Sequence, residues 1–140
     1  MANFYAVEYT NQMAVPKVQA NSLHKSNVTH WLDSYEASST ASGSVLYFFT
    51  VPAGHAIISG NLITDALGSS VTLKVGTTAS DALLLAATTC NTANLNTALT
   101  VPVDNYGAAL TADTTIIVTV GGAAATGTIK LALNTIKAGL

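Results

Sequence analysis

The sequence predicts an all-β fold, a β-sandwich or jelly roll preceded by an extended N-terminal arm, and three observations carry that expectation. The first is the stretch Gly43–Gly60, GSVLYFFTVPAGHAIISG, where bulky and β-branched residues crowd around a Pro52-Ala53-Gly54 break. Such residues at such density suit a pleated sheet buried on at least one face. The second is the repetition of short β-branched segments separated by glycine, proline, asparagine and aspartate, the spacing of a sandwich or jelly roll. The third is a change of composition at Ser38–Gly43, before which no period of 2 or 3.6 holds. We therefore divide the chain into an arm, residues 1–42, and a β-sandwich domain, residues 43–140.

Composition narrows the function classes. With 140 residues and 49% hydrophobic content, the chain is long and apolar enough for one real core. Only 9% of residues are charged, against about 25% in an ordinary soluble domain. All five basic residues are lysines, and the formal net charge is −2. That charge and the absence of arginine argue against a nucleic-acid binder, which needs a basic stripe to displace counterions. No apolar run approaches the ~18 residues of a spanning helix, so no membrane association is expected. The N-terminus shows no basic segment followed by an apolar one, and synthesis in a reducing cytosol is expected. Sheet edges are ordinarily blunted by charge, proline or bulges. So few charges suggest a surface covered in an assembly, or threonine-rich neutral faces.

Taken in order, Asn3–Tyr9 has the makings of a short strand anchored by Phe4, Tyr5 and Tyr9. Polar residues with isolated hydrophobes follow, Trp31 and Tyr35 among them. An arm held to a partner by a few aromatic anchors has this character, and so does an extended segment packed on its own domain. The five aromatics Phe4, Tyr5, Tyr9, Trp31 and Tyr35 are the candidate partner-binding residues. Ser44–Val51 and His55–Thr64 read as the first strand pair, turning at Pro52–Gly54. Val71–Val75 alternates apolar and polar, a half-buried strand that Gly76 ends. Asp81–Ala87 fits either one or two helical turns or a strand. Leu99–Val103 reads as an edge strand because Pro102 cannot donate to a central ladder. Thr114–Val120 and Thr128–Leu133 read as a closing hairpin around the glycine/alanine loop 121–127.

Chemistry is sparse. Asp33 and Glu36 lie three residues apart, but nothing near them separates two carboxylate pKa values for acid–base work. The spacing of His24 and His30 fits no common zinc pattern. No serine sits in a Gly-x-Ser-x-Gly elbow, and Gly121-Gly122 lacks the Lys-Ser/Thr of a phosphate loop. Asp65, Asp104 and Asp113 fall in turns, where such residues serve backbone geometry more often than calcium. Cys90 is the single cysteine and defines neither a disulfide nor a zinc set. The residues thus predict no catalytic site, no cofactor and no enzyme.

Phe49-Thr50-Val51-Pro52-Ala53-Gly54, Leu73-Lys74-Val75-Gly76 and Leu110–Ile116 (LTADTTI) before the last strands resemble small virion structural proteins of tailed bacteriophages, of the capsid decoration or cement kind. The resemblance spans Gly43 to Lys137. It implies a β-sandwich or jelly roll assembling as a homotrimer on the capsid surface after synthesis in the host cytoplasm. Its implied partner is the major capsid protein or another virion protein, and the arm is implied to grip the shell or a neighbouring subunit. A carbohydrate-binding or tail/fibre module is the alternative, with Trp31 and Tyr35 as the pair to stack on a sugar.

Overall fold

A computed structural model describes residues 28–137, which form eight strands and no helix. They are β1 (Val28–Thr40), β2 (Val45–Val51), β3 (His55–Thr64), β4 (Thr72–Thr77), β5 (Leu85–Thr89), β6 (Leu95–Ala98), β7 (Thr114–Gly121) and β8 (Ala125–Lys137). Two four-stranded antiparallel sheets result, in the orders β1-β8-β3-β6 and β2-β7-β4-β5. Only the β4–β5 connection stays within a sheet; every other one crosses to the opposite sheet. Strands thus pair as β1 with β8, β2 with β7, β3 with β6 and β4 with β5, a strip folded back on itself and wrapped. This is the eight-stranded jelly roll, one of the two alternatives the sequence pattern left open.

The core lies between the sheets. Ile116, Val118 and Val120 of β7 face Ile129, Leu131 and Leu133 of β8, each no more than 1% exposed. Leu73 and Val75 of β4 and Leu62 of β3 complete the centre. Burial of each such side chain contributes about 1.5–3 kcal/mol. Outside, neutral polar groups link the strands. Asn134 on β8 bonds His30 Nδ1 of β1 through its Oδ1 (2.7 Å) and donates to Ser59 Oγ of β3 (2.9 Å). Among the described residues Lys74–Asp81, at 2.7 Å and largely solvated, is the ion pair found, worth about 1 kcal/mol or less.

Several sequence expectations need correction. Ser44–Val51 and His55–Thr64 are strands, but β2 and β3 lie in different sheets and do not pair. Their turn is tied sideways: Ala53 N donates to Asp113 Oδ1 (2.9 Å) and Gly54 N to the Leu110 carbonyl (2.9 Å). The expected closing hairpin fails for the same reason, since β7 and β8 belong to opposite sheets. Both sheets turn their apolar faces to one core, so alternation is identical whether neighbours pair or cross. Leu99–Val103 is not a strand; Leu99 N and Thr100 N are instead held by the Gly60 and Leu84 carbonyls. Asp81–Ala87 divides into a turn and the start of β5. Nor does Gly76 end β4, which continues to Thr77. Finally, of the span assigned to the arm, Val28–Thr40 is β1, hydrogen-bonded along β8 with Ala37 in the core.

Candidate partner-binding edge

Among the described residues β1 and β2 are each one edge strand of their sheet, β6 and β5 being the others, and they border the same side of the sandwich. Trp31 closes one end of that seam. Its ring stacks on Phe49 of β2 at a centroid distance of 5.5 Å, and its Nε1 donates to Thr135 Oγ1 at 3.0 Å. Phe48 meets Phe49 edge-on at 6.5 Å. Register puts Trp31, Asp33, Tyr35 and Ala37 on the core-facing side of β1, opposite Leu133, Leu131, Ile129 and Gly127. Among the described residues no further strand covers them, and Asp33 and Tyr35 line a groove of about 420 Å³ with Leu46, Tyr47 and Phe48.

Three apolar residues that line this groove are open to solvent: Tyr47 is 69% exposed, Val45 41% and Tyr35 40%, while Leu32 (62%) and Val28 (50%) are exposed on the outward face of β1. The other large exposed hydrophobics among the described residues are Val103 and Tyr106, on the loop between β6 and β7. Asp33 supplies the carboxylate in the groove, and its Oδ1 accepts from Ser34 N at 2.8 Å. Apolar rims around a few polar groups are the usual character of protein contact surfaces.

Of the five predicted contact residues, the structure brings Trp31 and Tyr35 together on β1, whereas Phe4, Tyr5 and Tyr9 lie outside the described residues. Trp31 is half-buried, with its ring against Phe49, so this face is not free to stack on a sugar. Tyr47, the most exposed apolar residue of the groove, is not among the predicted contact residues. The cause is a bulge between Tyr47 and Phe49. One extra residue at Phe48 reverses the faces, leaving Phe49 and Val51 inward and turning Tyr47 out.

Elsewhere the polar groups are used structurally. Asp65 Oδ2 accepts from Thr128 N (3.2 Å), Glu36 Oε2 accepts from Thr128 Oγ1 (2.6 Å), and Asp113 holds the Pro52–Gly54 turn. Cys90 is buried in the core, where desolvation pushes its thiol pKa up. Among the described residues no three His, Cys, Asp or Glu side chains converge as a metal would need.

The jelly roll is a class of fold and hosts many functions. No family model and no curated protein matches the chain. Solved structures do share its fold. A chain of the cyanophage Pam1 capsid asymmetric unit superimposes with a TM-score of 0.68 and 20% identity, covering 79% of this chain and 85% of that one. A chain of the capsid of Ralstonia phage GP4 gives 0.64 and 19%, covering 81% and 86%. A chain of the acid-stable capsid of Helicobacter pylori bacteriophage KHP30 gives 0.60 and 10%, covering 78% and 86%.

Proposed function

We propose that this protein is a structural component of a tailed-phage virion, and within it a decoration protein that binds the assembled head. The observation that carries the reading is fold similarity over nearly the whole of each compared chain, 85%, 86% and 86% of their lengths, in three phage capsid structures. The open apolar edge along β1 and β2 supports it, because such a surface suits contact with another protein. In this reading the partner is the major capsid protein or another virion protein, and the protein acts as a homotrimer on the capsid surface. It has no catalytic role.

The mechanism is linkage. A protein that binds neighbouring shell subunits only in their assembled arrangement stabilises that arrangement by RT ln(1 + [L]/Kd). Three linked copies add their contacts within one complex, so a modest interface of about 800 Å² per partner suffices at each site. The test is the thermal stability of heads lacking the protein, titrated with purified protein. The reading predicts a saturable rise in the temperature of head disruption; an unchanged temperature at saturating protein contradicts it.

A further inference from the structure

The aromatic residues of this chain are unevenly placed. Trp31, Tyr35, Tyr47, Phe48 and Phe49 lie on β1 and β2, Phe4, Tyr5 and Tyr9 lie in the first nine residues, and Tyr106 alone lies beyond. We infer that these two groups are the two halves of one contact: the stretch Asn3–Tyr9 of one copy docks in the β1/β2 seam of a neighbouring copy. The inference rests on the homo-oligomeric part of the reading above and names the surface that would build the oligomer.

Three features of the molecule carry it. The seam matches the stretch in chemistry. Its walls are apolar and aromatic, with one carboxylate, Asp33, between them. A tyrosine fits such a place because its ring takes the apolar wall while its phenol donates to the carboxylate. The second feature is the edge itself. β5 and β6 are five and four residues long, and β2 is bulged, which are the usual ways of blunting an edge. β1 has 13 residues and keeps a regular register over the ten residues from Val28 to Ala37, with its bulge confined to the end at Ala37–Thr40; it carries neither lysine nor proline, and its inward carboxylate, Asp33, is the one that would be met by a docked tyrosine. It is the edge left ready for another strand, and Asn3–Tyr9 has the strand-forming residues to add one. The third feature is length. Residues 10–27 join that stretch to the start of β1 and span up to roughly 60 Å when extended. Folding back onto the same edge takes a loop of about 2–5 residues. The longer connection suits a crossing between molecules. A contact of arm to seam is heterologous, and copies joined this way form a closed ring when the rotation between neighbours closes.

Full-length chains carrying Tyr5→Cys or Tyr47→Cys, the latter made heavier by isotope labelling, are mixed under mild oxidation and analysed by mass spectrometry. The inference expects a disulfide joining one light and one heavy chain, absent when Thr50→Cys, exposed near the opposite end of β2, replaces Tyr47→Cys. A bridge confined to single molecules of a Tyr5→Cys/Tyr47→Cys double variant overturns it, as does no bridge at all. Independently, Tyr9→Asp and Tyr47→Asp are each expected to lower the native mass to that of one 14.3 kDa chain while the far-UV circular dichroism is unchanged. An unchanged oligomer in both variants overturns the inference. Head stabilisation by the wild-type protein is measured separately, so loss of the arm contact and loss of head binding are told apart.

Discussion

At the scale of single residues, Trp31 does two jobs that substitution separates. Its ring covers Phe49, and its Nε1 satisfies the fully buried Thr135 hydroxyl. Trp31→Phe keeps the stack and loses the hydrogen bond, which costs about 1 kcal/mol. Trp31→Ala loses both and costs about 3 kcal/mol, the low end for a large aromatic because the side chain is half-buried. Urea unfolding checks the difference. Gly76 offers a second contrast. A Cβ there would stand 2.2 Å from the Ser80 carbonyl oxygen, where the chain folds over the sheet. Gly76→Ala therefore destabilises by about 2–3 kcal/mol. Gly54, at φ +87° with no atom near its Cβ position, costs only about 1 kcal/mol as alanine. Cys90 is fully buried, and burial raises its pKa, so the thiol stays protonated. A thiol reagent at pH 8 is expected to label it at the rate of unfolding, and immediate labelling contradicts its place in the core.

At the scale of elements, β1 decides where the folded unit begins. Deleting residues 1–42 removes β1 and bares the flank of β8 that carries Ile129, Leu131 and Leu133. That fragment is expected to lack a cooperative thermal transition. Deleting residues 1–27 keeps all eight strands, and a melt within a few degrees of full length is expected. Cooperative unfolding of 43–140 contradicts the sheet order given above. The same elements show how much was legible in advance. His55–Thr64 and Thr114–Val120 are evident because β-branched residues and flanking turns bound them. β1 is not, because at a free edge even core-facing positions such as Asp33 and Tyr35 stay wet, and the alternation disappears. Pairing was hidden by the shared core, and the face of Tyr47 by a single bulge that no local residue signals. Of the candidate edge, Trp31 and Tyr35 stand out in the sequence as aromatics in a polar stretch, and Val45 and Tyr47 do not.

At the scale of the whole molecule, charge is scarce, and among the described residues five of the seven large exposed hydrophobics lie on β1 and β2. Contacts made by those strands draw little on Coulomb attraction. Raising salt from about 0.05 to about 0.5 M is expected to change affinity for heads by less than about threefold, as a titration at the two salt concentrations would read. The jelly roll supplies the frame: one side is left open by two edge strands and stiffened by the Trp31–Phe49 stack. The central claim is that this frame serves a virion by binding an assembled shell. Co-sedimentation tests it most directly, with purified protein mixed either with heads of the virus that encodes it or with the same capsid protein unassembled. Saturable binding to heads, with none to unassembled subunits, is the predicted result. Absence from the head pellet at micromolar protein, or equal binding to both forms, would contradict it.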